Sequence, residues 1–173
     1  APKGIGALYV RDGIQFEKIQ DGGHQEHDKR AGTENVAEIV GLGKAIEDIY
    51  FNYDEYNRHL QNLRDLYIQK IQEKIPTAKL NGDRYKRLPG NANFSFNNVN
   101  AQHLLLDLDE KGICASAGSA CSTGSVAPSH VLTAIGLPRE QAEGTLRITF
   151  GKNNTEQDVE YLVESIVETI KKY

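Results

Sequence analysis

From Val36 onward the apolar residues fall at positions 36, 39, 40, 46, 49, 50, 53, 56, 60, 63, 66, 67, 71 and 75, a spacing of threes and fours that predicts one α-helix. Pro76 stops it. A helix of about 40 residues would be about 60 Å long at 1.5 Å per residue, more than a small globule can enclose. Such a helix is expected to run between two lobes, with a domain boundary inside it near residues 45–60. The pattern therefore divides the chain into residues 1–45, an inter-domain helix over 46–76, and a compact region over 77–173.

Before the helix, residues 5–10 are apolar and β-compatible, and Ile14, Phe16 and Lys18 alternate with polar neighbours across the turn signal Asp12-Gly13. A β-hairpin is expected there. Residues 21–32 are polar and glycine-bearing with no periodicity, so they predict a long loop, ended by Thr33 as the N-cap of the helix. After the helix, a strand over 78–80 precedes the Asn81-Gly82 turn, and Ala92, Phe94 and Phe96 alternate with Asn93, Ser95 and Asn97 as a second strand. Asn100 is placed to cap a short helix with Leu104, Leu105 and Leu108 on one face, ended by Gly112. Ser129 is read as the cap of another short helix that stops at Gly136. Leu146, Ile148 and Phe150 share one face of a strand and Arg147 and Thr149 the other; Thr155 to Asp158 opens a C-terminal helix that packs through Val159, Leu162, Val163, Ile166 and Ile170. The region after the long helix is thus expected to be α+β, with a mostly antiparallel sheet.

At 173 residues and 39% hydrophobic content the chain is able to bury a core. Net charge is −4, with Lys and Arg dispersed among Asp and Glu, which argues against nucleic acid and anionic lipid as partners. No apolar run is long enough to span a bilayer and the N-terminus lacks a signal-peptide pattern, so a cytoplasmic protein is expected. Two cysteines seven residues apart form neither a disulfide framework nor a zinc knuckle. Methionine is absent, position 1 included, so the chain is expected to be a piece of a longer protein.

The chemistry centres on residues 113–130, Ile-Cys-Ala-Ser-Ala-Gly-Ser-Ala-Cys-Ser-Thr-Gly-Ser-Val-Ala-Pro-Ser-His. Between Cys114 and Ser129 every residue but Val126 is small, and Gly118 and Gly124 flank Cys121. That predicts a reachable, mobile Cys121 thiol. Composition alone equally describes a surface loop that happens to contain a cysteine. Cys114, following Ile113 at the end of a presumed strand, is expected to be a buried core thiol.

Pro2-Lys3-Gly4, Gln25-Glu26, Arg30-Ala31-Gly32-Thr33-Glu34-Asn35, Ser116-Ala117-Gly118-Ser119-Ala120-Cys121, Pro128-Ser129-His130 and Leu146-Arg147-Ile148-Thr149-Phe150, in this order, resemble the C-terminal half of a NifS/IscS-type cysteine desulfurase of the class V aminotransferase superfamily. The resemblance covers essentially the whole chain. It implies an α/β fold of the PLP fold type I, with residues 1–45 ending the large pyridoxal phosphate domain and the small α+β domain carrying the cysteine loop. It also implies conversion of L-cysteine to L-alanine with a persulfide formed on Cys121, for Fe–S cluster assembly or other sulfur transfer. Arg147 then corresponds to the arginine that holds the substrate carboxylate, and Thr33 to a contact of the cofactor phosphate reached from the neighbouring subunit. Considered alone, Arg147 is a solvated strand residue and Thr33 an N-cap. A homodimer and a sulfur-acceptor or Fe–S scaffold protein are the implied partners.

Two departures qualify the resemblance. The family's Schiff-base lysine lies just upstream of Ala1, and Lys3 belongs to the Pro-Lys-Gly motif instead; the chain alone is expected neither to bind the cofactor nor to turn over. At Asp21-Gly22-Gly23-His24 the family usually has three glycines, so a turn that tolerates positive φ is expected to differ. His24, Glu26 and His27 lack a third ligand at a known spacing, and no metal site is expected. The competing functions are a non-catalytic dimerisation or scaffold module that retains the fold, and another class V aminotransferase in which Cys121 is incidental.

Overall fold

The computed structural model describes residues 1–117 and 129–172. It divides into two compact units, Ala1–Tyr53 and Asp54–Tyr173. The long helix, α2 (Val36–Lys74), has residues in both.

The second unit holds nearly all of the buried apolar residues. Its sheet runs in the order β1 (Lys79–Leu80), β2 (Asn91–Ser95), β3 (Thr145–Thr149), all antiparallel. On β2 and β3 the alternation works as the pattern requires: Ala92 lies opposite Ile148 and Phe94 opposite Leu146, and all four are buried. Against this face pack Leu63, Tyr67 and Ile71 of α2, Leu104 and Leu108 of α3 (Ala101–Glu110), and Val159, Leu162, Val163 and Ile166 of α6 (Glu156–Ile170). The Tyr67 ring meets Phe94 and Phe150 edge-on, each at 5.8 Å between centroids. Its hydroxyl is buried with no hydrogen-bond partner, and burial pushes its pKa far up.

Local sequence explains the helix ends. Asn100 Oδ1 accepts from the backbone N–H of Gln102 and His103, and Gly112, at φ +76°, follows α3 with a conformation that a side chain would strain. Thr155 and Asp158 form a reciprocal capping box at the start of α6. Ser129 does precede α4 (His130–Ala134), but its side chain makes no capping hydrogen bond; only its carbonyl accepts, from Thr133 N–H at 3.1 Å. A further five-residue helix, α5 (Arg139–Glu143), follows Pro138; it is too short to show periodicity and has no side-chain cap to mark its start. Where Gly144 leaves α5 the backbone is crowded: a Cβ there would lie 2.5 Å from the carbonyl oxygen of Phe96.

The first unit departs from expectation. The Asp12-Gly13 turn forms, with Ile14 N–H donating to the Arg11 carbonyl at 3.2 Å, but no strand flanks it among the described residues. Leu8 and Tyr9 are 77% and 87% exposed, and a two-stranded ribbon with nothing to pack on is marginal. Residues 21–32 contain a single turn, α1 (Gln25–Asp28), in which Glu26, His27 and Asp28 all have positive φ. Positive φ thus occurs before His24, at Gly22 (φ +149°), and after it, whereas His24 itself has φ −90°. Asp28 accepts from Lys18 at 2.9 Å and faces His24 Nδ1 at 3.1 Å, and these two contacts, Lys18 first, hold its carboxyl below the usual range. The cap of α2 is Asn35, whose Oδ1 accepts from Glu38 N–H at 3.4 Å; Thr33 lies two residues earlier and is exposed. Among the described residues no helix is long and apolar enough to cross a membrane.

Candidate functional site

The face of the sheet opposite the core is polar, because the same alternation that buries Phe94 and Leu146 turns Asn93 and Arg147 outward. Asn93 and Arg147 are directly paired across β2 and β3. Asn81 adds to one side, its N–H donating to the Asn93 carbonyl at 2.8 Å. On the other side Ser116 bridges to Arg147: Arg147 N–H donates to the Ser116 carbonyl at 2.7 Å, and Ser116 N–H donates back at 3.2 Å. Asn81, Asn93, Arg147 and Ser116 thus form one row across the sheet. Arg147 is half-buried in the middle of it.

A second set of bonds stiffens the row. Thr145 Oγ1 donates to the Gln141 carbonyl at 2.8 Å, so its contact with Ser95 Oγ at 3.1 Å leaves Ser95 as the donor. Ser95 Oγ then accepts from Asn81 Nδ2 at 2.8 Å. The other Asn81 Nδ2 proton goes to Asn93 Oδ1 at 2.7 Å. Asn81, Ser95 and Thr145 are buried, so this network is shielded from water and rigid. Asn81 Oδ1 has no partner.

The bridge from Ser116 to Arg147 anchors the stem of the cysteine stretch on the strand that carries the arginine. Cys121 itself lies outside the described residues. Cys114 is described, and it corrects the expectation of a core thiol: it is exposed. Ile113 and Ala115 are the residues that pack on the core, and in an extended segment the residue between them must face outward. Thr33 belongs to the first unit, and Arg147 with Ser116 to the second. His130 is the first residue of α4 and is exposed. Among the described residues no cluster of His, Cys, Asp and Glu could hold a metal.

Sequence reasoning singled out Arg147 but not the polar row beside it. Its signal lies in the polar positions of Asn-Ala-Asn-Phe-Ser, whose alternation with Ala92 and Phe94 marks a strand but not what its polar face meets.

The model of the family Aminotransferase class-V matches residues 1–162. The cysteine desulfurase IscS of Clostridium botulinum strain Hall is 52% identical over 172 residues, which are 98% of this chain and 43% of that protein. A solved NifS-like protein superposes with a TM-score of 0.84 at 30% identity, over 95% of this chain and 42% of the other. The NifS-like protein from Rickettsia africae gives a TM-score of 0.80 at 31% identity, over 91% of this chain and 41% of that one. The chain spans less than half the length of these proteins. On this evidence the chain belongs to the class-V aminotransferase family.

Proposed function

We propose that this chain is the C-terminal part of a pyridoxal-phosphate-dependent cysteine desulfurase, which takes sulfur from L-cysteine and releases L-alanine. The observation that carries the reading is the Ser116–Arg147 bridge, which ties the stem of the Cys121 segment to the strand bearing a carboxylate-binding side chain. Arg147 holds the substrate carboxylate as a planar double donor. The Cys121 thiolate forms an S–S bond to the substrate sulfur as the Cβ–S bond breaks; Cβ keeps the electron pair and is protonated to give alanine. The persulfide sulfur then passes to an acceptor or Fe–S scaffold protein.

When bound, pyridoxal phosphate supplies the electron sink for that cleavage. The residues present fit a single contact to it: the Thr33 hydroxyl is exposed just before α2, and so able to meet a phosphate held by a neighbouring subunit of a homodimer. Within the complete protein, residues 1–45 end the cofactor domain, 46–76 are the inter-domain helix and 77–173 the small domain. The isolated chain is expected to show no cofactor absorbance and no turnover.

The test is a graft in which this chain replaces the matching part of the Clostridium botulinum relative. Desulfuration of L-cysteine by the graft, with KM raised at least about tenfold by Arg147→Lys, supports the reading. A folded, cofactor-loaded graft that makes no alanine would favour a non-catalytic scaffold module.

A further inference from the structure

We propose that Asn93 is a second binding residue for the substrate carboxylate, acting beside Arg147 from the neighbouring strand. The inference rests on the reading of Arg147 given above, and the polar network supplies the rest. Thr145 donates to the Gln141 carbonyl, Ser95 donates to Thr145, and Asn81 Nδ2 therefore donates to both Ser95 Oγ and Asn93 Oδ1. Every proton in that chain is assigned, so the orientation of the Asn93 amide follows: Oδ1 is occupied by Asn81, and Nδ2 is turned away from it with its protons free to donate. Asn93 is half-buried, like Arg147.

Directly opposed residues of an antiparallel pair have their Cβ atoms about 4.5–5.5 Å apart on one face of the sheet. Asn93 and Arg147 are such a pair. With Asn93 Oδ1 already engaged by Asn81, both side chains offer N–H donors, a pair that disfavours a cation and attracts an acceptor with two oxygens. A carboxylate fits: the guanidinium takes it with paired N–H groups, and the amide N–H meets a remaining lone pair. The amide also gives selectivity for a carboxylate over a carboxamide, whose own N–H2 would face a donor. Asn81, Ser95 and Thr145 hold the amide in place and do not touch the substrate.

The experiment uses the assembled desulfurase, as the longer protein or as the graft, with Asn93→Ala, Asn93→Asp and Arg147→Lys. Asn93→Asp keeps the side-chain shape and the acceptor for Asn81, so the network survives while the donor becomes an acceptor. The readouts are KM and kcat for L-cysteine, and calorimetric dissociation constants for L-alanine and for ethylamine, which is alanine without its carboxylate. Both Asn93 variants are expected to raise KM and the L-alanine dissociation constant about tenfold or more, Asp more than Ala, with kcat within about twofold and ethylamine binding unchanged. Weakening L-alanine and ethylamine equally would show a structural role and overturn the inference. If Arg147→Lys weakens L-alanine while both Asn93 variants bind it normally, the Asn93 inference alone falls. If none of the three variants changes L-alanine binding, the reading of Arg147 falls with it.

Discussion

Tyr67 is the largest fully buried side chain of the core, and its hydroxyl has no partner there. Leaving a phenol unpaired in an apolar site costs about 1–3 kcal/mol of desolvation, while the ring supplies the packing against Phe94 and Phe150. Tyr67→Phe is therefore expected to stabilise the chain by about 1 kcal/mol, read as a higher urea midpoint with unchanged m-value. A loss of stability would mean that the hydroxyl is bonded. At the same scale, Cys114 shows how a single position is misjudged. The residue type suggests burial, but the alternation set by Ile113 and Ala115 decides the side, and it puts the thiol in solvent. Cys114 should be alkylated in the native chain without unfolding, and protection until unfolding would contradict its exposure.

Elements whose signals are local were legible in the sequence. The capping box of α6, the Asn100 cap of α3 and the alternation of β2 and β3 each depend on a few adjacent residues, and each forms as read. The hairpin over residues 5–18 did not form, because a two-stranded ribbon needs a surface to pack on that its own sequence does not contain. The α2 cap moved from Thr33 to Asn35 because either side chain could serve, and only the backbone path selects one. The row from Asn81 to Ser116 was hidden for a further reason: register across strands is a tertiary property. Thr155→Ala should cost about 1 kcal/mol through loss of the cap. The Asp158 carboxyl is held below its ordinary value by the Thr155 backbone N–H first and the Thr155 side chain after it. A depressed carboxylate stabilises fully above the ordinary range near pH 4, and that contribution is lost as pH falls through the lower folded value. Asp158→Asn should accordingly flatten the acid limb of the stability profile below about pH 4. An unchanged acid limb would contradict the box.

For the molecule as a whole, the buried apolar residues from Leu63 to Ile166 all lie in the second unit, and Ala31 is the one from the first among the described residues. The two units should therefore differ in stability. In hydrogen exchange on the isolated chain, β2, β3 and α6 are expected to be protected, whereas residues 5–18 should exchange at nearly unprotected rates. Within the longer protein proposed above those residues should gain protection, since Leu8, Tyr9, Ile14 and Ile19 are apolar side chains left exposed here. Equal protection of both units in the isolated chain would contradict the division.

Which thiol carries sulfur is the most direct test of the proposed chemistry. The measurement is alanine formed per enzyme from L-cysteine under reductant, by the assembled desulfurase bearing Cys121→Ser or Cys114→Ser. Cys121→Ser is predicted to lose persulfide and alanine formation while keeping its cofactor, and Cys114→Ser to turn over normally although its thiol is exposed. Normal alanine production by Cys121→Ser would contradict the account.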